Sequence, residues 1–205
     1  MIDREKLWRR YRRFMETTPA FRSHPQNYAK IPLLDGIVRN YEVPHVLEIG
    51  VQEGWGMLPL AAAAQDKGGT YTGVDLRITD EVRALVKEFD LQRVTLLEMP
   101  SEKFWRDGVE NPFDVIVLDG GHDYLTIRMD ILNALRCLAR DGWLLVHDVL
   151  TFAGPQKAFA EICGTTRYGI FSCIVPLGID GMGVAFVTDQ DKLIELGVKP
   201  ICNSQ

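Results

Sequence analysis

Four carboxylates in this chain stand where an apolar run gives way to glycine or polar residues. Glu48 lies in His45-Val46-Leu47-Glu48-Ile49-Gly50, and Asp75 closes Gly73-Val74-Asp75. Asp119 closes Val117-Leu118-Asp119, and Asp148 follows Leu144-Leu145-Val146-His147. The carboxyl ends of strands in an open α/β sheet converge on one crevice, so topology alone would gather these acids. Asp75 ends the second such run and suits a ribose diol, because an ionised carboxylate can accept both hydroxyls.

The turn after Glu48 narrows the ligand. Gly50, Gly54 and Gly56 do not follow the G-x-G-x-x-G spacing of a pyrophosphate-binding turn. An acid so close to the turn would repel a pyrophosphate but suits a cation. S-adenosylmethionine carries an α-ammonium and a sulfonium, so it matches bare backbone beside an acid better than NAD does. Glycine would be required where a Cβ would block the approach of the ligand. An ordinary strand-to-helix turn with a solvated acid is the plainer alternative.

The elements that must position these residues alternate. The spacing predicts strands over Val46–Ile49, Thr70–Asp75, Val94–Leu97, Phe113–Leu118 and Trp143–Val146. Helices are expected over Met57–Lys67, from Thr79 as cap to Phe89, around Ser101–Trp105, from Asp123 to a stop at Gly142, and over Pro155–Cys163. Pro59 falls in a first turn, where its missing N–H costs nothing. The Phe113–Leu118 run is apolar on both faces apart from Asp114, as in a central strand. Ile170–Val175 and Val184–Thr188 have no room for a crossover helix between them, so they should pair antiparallel.

Composition bounds the partners. Hydrophobic residues make up 46% of the 205 and the formal charge is −5, which suits one soluble α/β domain and argues against a nucleic-acid or membrane-surface binder. No apolar run approaches the roughly 18–20 residues that span a bilayer, and no signal-peptide segment is visible, so a cytoplasmic location is expected. Cys137, Cys163, Cys173 and Cys202 form no C-x-x-C pair and read as reduced, mostly buried thiols.

Residues 1–41 differ from the rest. Arg4, Lys6, Arg9, Arg10, Arg12, Arg13 and Arg22 outnumber Asp3, Glu5 and Glu16 before residue 23. Leu7, Trp8, Tyr11, Phe14 and Met15 follow helical spacing, Thr17–Gln26 reads as a bend, and a second helix is expected near Pro32 with Ile31, Leu34, Val38 and Tyr41 on one face. The expected role is a helical cap or arm over the carboxyl edge of the sheet, or a homodimer contact.

The motifs together resemble class I S-adenosylmethionine-dependent methyltransferases. The resemblance rests on Val46-Leu47-Glu48-Ile49-Gly50-Val51-Gln52-Glu53-Gly54, Gly73-Val74-Asp75 and Val117-Leu118-Asp119-Gly120-Gly121-His122-Asp123-Tyr124. The last of these, with Leu144-Leu145-Val146-His147-Asp148-Val149, is most similar to small-molecule O-methyltransferases, including metal-dependent enzymes acting on sugars and catechols. It implies a Rossmann-like three-layer α/β/α sandwich with a mostly parallel seven-stranded sheet, one antiparallel strand and added N-terminal helices. Residues 42–205 would be the cofactor-binding domain.

The resemblance also implies roles. Glu48, Gly50 and Gly54 would line the methionine part of S-adenosylmethionine, Asp75 would hold the ribose, and Ser101 would meet the adenine. Asp119 borders the cofactor and, with Asp148, matches the acids that hold a divalent metal, while His122 matches the general base. Elementary chemistry agrees. Two acids on neighbouring strands give the oxygen donors that Mg2+ prefers, and a bound cation lowers a hydroxyl pKa within reach of a neutral histidine. The chain departs from the pattern at His147, where the sugar-modifying enzymes carry an acid, and at Val149, where the catechol type carries asparagine. His147 would be a third metal ligand favouring a softer ion, or a residue that hydrogen-bonds the ligands. His24 and His45 fall outside the constellation. Tyr124, Trp55, Phe152 and Met182 are candidates to shape an acceptor pocket. The expected activity is methyl transfer to a hydroxyl of a small molecule. A metal-independent methyltransferase and a non-catalytic S-adenosylmethionine-binding protein are the alternatives.

Overall fold

The computed structural model describes residues 2–17, 30–177 and 180–199, and the side chains of residues 14–17 stand outside that description. Phe14 and Met15 as packing side chains, the bend beyond Thr17, His24 and Cys202 therefore lie outside the described residues.

Seven strands form one sheet: β1 (His45–Ile49), β2 (Thr70–Asp75), β3 (Val94–Glu98), β4 (Phe113–Leu118), β5 (Leu138–His147), β6 (Ile170–Val175) and β7 (Met182–Val187). Their spatial order is β3-β2-β1-β4-β5-β7-β6. β1 to β5 pair in parallel, and β7 runs antiparallel to both neighbours. The expected single antiparallel strand is thus β7, one place in from the edge. β4 occupies the centre. Val115 and Val117 face one helical layer and Ile116 and Leu118 the other, as the two-residue repeat of a strand requires.

Seven helices flank the sheet among the described residues. They are α1 (Arg4–Thr17), α2 (Lys30–Arg39), α3 (Met57–Asp66), α4 (Asp80–Glu88), α5 (Ser101–Asp107), α6 (Tyr124–Cys137) and α7 (Ala153–Cys163). Residues of α1 to α4 pack on one face and those of α5 to α7 on the other, which gives the three layers. Three of these helix starts carry side-chain caps. Asp3 accepts from the Lys6 N–H at 2.9 Å ahead of α1. Thr79 accepts from the Val82 N–H at 3.3 Å and Asp123 from the Thr126 N–H at 3.0 Å. Because β1 and β4 are adjacent in space and their connections leave on opposite faces, a crevice opens beyond their carboxyl ends.

One element ends earlier than its sequence suggests. The long helix stops at Cys137 rather than at Gly142, and Leu138 already pairs with Phe113 before the register shifts to Val115 opposite Trp143. Residues 137–140 favour a helix intrinsically, but that preference is a few tenths of a kcal/mol per residue. A fully buried leucine at position 138 gains about 2 kcal/mol from the strand position it takes. Packing therefore decides the boundary.

Among the described residues of the N-terminal segment, α2 packs on α3 and on β4, and α1 lies over α3 and α4. The Ile2 N–H donates to Asp66 at 2.8 Å near the amino edge, while Tyr11 lies buried against Trp55 near the carboxyl edge. Arg39 bonds Asp35 and Asp66, both at 2.9 Å, and Arg4 reaches Asp35. Basic residues of the arm are thus partly spent on pairs within the chain. Among the described basic residues of these helices, Lys30, the first residue of α2, reaches the acids at the carboxyl edge.

The Asp66 carboxylate is 7% exposed and carries the junction between α1, α2 and α3. Burial alone would raise its pKa, but the Ile2 N–H and the Arg39 guanidinium outweigh burial and hold it below the ordinary carboxylate value of 3.8. A depressed folded pKa contributes stability that is present above the unfolded pKa and lost as pH falls through the folded value. Asp66→Asn is expected to cost about 1–3 kcal/mol near pH 7. The deficit should shrink as melts are taken below pH 4, where the wild-type carboxylate also loses its charge.

Candidate active site

A crevice of about 420 Å³ lies at the carboxyl ends of β1, β2 and β4. Its floor is Ile49, Gly50 and Gln52, one end is Asp75 with Met99–Glu102, and the other is Asp119 with Gly120 and Gly121. The backbone explains the glycine at position 50. Its φ is +95°, and a Cβ there would overlap the Asp119 carbonyl, so only glycine lets β1 turn while the Asp119 N–H reaches the Ile49 carbonyl at 2.8 Å.

Asp75 is fixed before any ligand arrives. One carboxylate oxygen accepts from the Gln52 N–H at 2.8 Å and the other from the Arg77 N–H at 3.1 Å. Each oxygen has two lone pairs, so each keeps one for a ligand hydroxyl. Gln52 reaches it through a left-handed backbone, φ +47°. Ser101 lines the crevice at the start of α5. Beneath it Asp130 is 1% exposed and accepts from the Trp105 indole N–H at 2.7 Å; burial pushes its carboxyl pKa up.

Glu48 and Gly54 do not line this crevice. Glu48 is 1% exposed, receives the Tyr71 hydroxyl hydrogen bond, and lies where a Cβ on Gly56 would overlap its carboxylate. Burial pushes its pKa up to about 8, with the Tyr71 bond opposing and the charges of Asp119 and Asp75 adding to the rise. The carboxyl braces the turn from below. Gly54, with φ +85°, packs on Leu85 and Met57. A carboxyl that stays protonated in the fold but ionises near 4.5 when unfolded lowers stability as pH rises between those values. Glu48→Gln should therefore melt close to the wild type at pH 4.5 and measurably above it at pH 8, and an unchanged difference would remove the buried-acid assignment.

Beyond Asp119 the remaining acids and histidines meet. The His122 Nε2 lies 2.8 Å from one oxygen of Asp148, and the His147 Nδ1 lies 2.9 Å from Asp119 and 3.1 Å from the other oxygen of Asp148. Both of those ring nitrogens are buried, yet neither approaches its oxygen at a hydrogen-bonding angle. Asp148 itself has φ +64°, a strained conformation for a side-chain-bearing residue, tied down by its N–H on the Gly181 carbonyl at 3.1 Å. Burial opposes ionisation of His147, but Asp119 and Asp148 outweigh it and push its pKa up to about 9; His147 in turn holds Asp148 below the ordinary carboxylate value against burial.

Ligand atoms of Asp119, His122 and Asp148 all lie within 4.8 Å of one another. The two carboxylates fit a divalent cation, and the His122 nitrogen beside them could either complete its donor set or serve as a base. His147 also faces Asp119 and Asp148, so the predicted ligands Asp119, His147 and Asp148 are brought together as well. Phe152 stacks flat on His122, ring centroids 4.2 Å apart. The other pocket candidates lie elsewhere: Tyr124 bonds Glu161, Trp55 packs on Tyr11, and Met182 is core. His45 bonds Thr70 at the start of β1. Cys137 and Cys163 are buried, whereas Cys173 is exposed.

The sequence profile described as a methyltransferase domain matches residues 47–149, half of the chain, from the first strand through Asp148. The chain belongs to the methyltransferase-domain family. Solved structures share the class I S-adenosylmethionine-dependent methyltransferase fold. Rv0187 from MTB, solved with cofactor, is 20% identical with a TM-score of 0.68 over 78% of this chain and 80% of its own. The O-methyltransferase TomG from Streptomyces achromogenes, involved in tomaymycin synthesis and solved with S-adenosylmethionine, is 19% identical at 0.66 over the same shares. An O-methyltransferase from Bacillus cereus with S-adenosylhomocysteine is 18% identical at 0.63, again over 78% and 80%. No curated protein matches the sequence significantly. Within this methyltransferase no described helix is long and apolar enough to cross a membrane.

Lys30, Asp180, Tyr71 and Asp130 carry part of the site and had no motif to announce them.

Proposed function

We propose that this protein transfers a methyl group from S-adenosylmethionine to a hydroxyl of a small-molecule acceptor, with a divalent cation held by Asp119 and Asp148. The observation that carries the reading is the double position of Asp119. It closes the crevice on one side and joins the acid–histidine group on the other, so a hydroxyl at that group would lie beside the methyl donor. O-methyltransferases of the same fold crystallised with S-adenosylmethionine or its product support the cofactor assignment.

The chain's own groups divide the work. Gly50 and the adjoining backbone admit the methionine end of the donor, Asp75 accepts the ribose hydroxyls, and Ser101 faces the adenine end. Glu48 contributes by shaping the turn. When bound, the cation lowers the pKa of the acceptor hydroxyl. His122 takes the proton through Nε2, and Phe152 stacked on the ring fixes its plane. With the oxygen deprotonated, displacement at the methyl carbon needs chiefly alignment, which effective molarities show to be a large share of such barriers.

A second reading is favoured by Lys30, whose ammonium already offsets part of the acidic charge: transfer without a metal, with His122 as base. A chelator experiment separates them. Methyl transfer to a panel of hydroxylated acceptors should vanish with a strong chelator and return with Mg2+ or Mn2+. Activity that survives chelation would establish the second reading in place of the first.

A further inference from the structure

Lys30 is the described residue of the N-terminal helices that enters the acid–histidine group. Its Nζ contacts the His147 Nε2 and lies 3.6 Å from an Asp180 carboxylate oxygen, with the lysine side chain only 16% exposed. Asp180 comes from the connection between β6 and β7, so three distant segments meet here. The Lys30 Nζ thus stands inside the group, beside His147 and Asp180.

The group around Lys30 is itself arranged for a cation. Ligand atoms of His147, Asp148 and Asp180 lie within 4.8 Å of one another, a second set beside Asp119, His122 and Asp148. The two sets divide Asp148 between them. One of its oxygens faces His122 and the other faces His147. A carboxylate bridging two cation positions is the arrangement of paired-metal sites, in which the ions stand about 3.5–4 Å apart. Here the chain has put an ammonium where the second ion would go. The His147 nitrogen on this side is Nε2, the one that Lys30 contacts, while Nδ1 faces Asp119 and Asp148.

We propose that Lys30 is a built-in cation filling a second metal-competent position formed by His147, Asp148 and Asp180, so that the chain loads a single divalent ion. The consequence is a fixed charge beside the reaction centre that does not depend on metal supply. Removing the ammonium leaves two carboxylates and an imidazole, a mixed oxygen and nitrogen set that suits Mn2+, Co2+ or Zn2+. The inference rests on the metal reading of the first set only through the shared Asp148.

The test is the number of Mn2+ ions bound per chain, by equilibrium dialysis with metal analysis and by electron paramagnetic resonance. Wild type should bind one ion. Lys30→Met should bind two with the spectrum of a coupled pair, Lys30→Arg should return to one, and Lys30→Met with Asp180→Asn should also return to one. If Lys30→Met proves poorly folded by circular dichroism, Lys30→Gln takes its place in the same series. Wild type binding no ion while Lys30→Met binds one would uphold the role of Lys30 and overturn the metal reading of the first set. Equal stoichiometry in wild type and Lys30→Met, or two ions in wild type, would overturn the proposal.

Discussion

Replacing His122 with alanine should lower kcat by about 10²–10⁴-fold, the range a positioned general base supplies. Cofactor affinity should stay within about twofold of wild type, because His122 does not line the crevice below Asp75 and Gly50. The structural cost is small. The ring gives up its stack on Phe152, worth about 0.5–1.5 kcal/mol, and it is partly exposed already. Measuring Mn2+ affinity on the same variant separates two roles for the nitrogen. Unchanged metal binding with collapsed kcat marks a base; metal binding lost in step with kcat marks a ligand. A variant with normal kcat would remove His122 from the chemistry.

The second large effect is structural and sits at Gly50. Gly50→Ala must place a Cβ at φ +95°, a conformation costing about 1–3 kcal/mol for a residue with a side chain. The same Cβ would meet the Asp119 carbonyl and the Gly120 nitrogen, which are backbone and cannot swing aside. A total near 3 kcal/mol corresponds to a Tm drop of roughly 6–12 °C for a domain of this size. Because the displaced segment carries Asp119, cofactor binding and metal binding should weaken together. A melt unchanged from wild type would mean that the turn is built differently.

The contrast between these two positions shows what the sequence discloses. Gly50 and His122 were legible because each follows a strand whose apolar run is unmistakable, and strand ends in this architecture point to one edge. The same reasoning located Asp75, Asp119 and Asp148. Glu48 was legible as a residue but not as an environment. Its carboxyl lies under Gly56 and against Tyr71, a partner 23 residues away, so it braces the turn. Lys30 and His147 are 117 residues apart and belong to no shared pattern. Only the folded chain joins them. The early end of α6 was hidden for a related reason: Leu138 is a good helix residue locally, and its strand partner Phe113 lies far back in the chain.

The cofactor assignment underlies every other statement about the site, and calorimetric titration with S-adenosylhomocysteine tests it most directly. Wild type should bind S-adenosylhomocysteine and ignore NAD. Asp75→Ala should bind it about 10–100-fold more weakly, the loss of hydrogen bonds to a charged acceptor. Binding of NAD in its place, or an Asp75→Ala protein with wild-type affinity, would contradict the account.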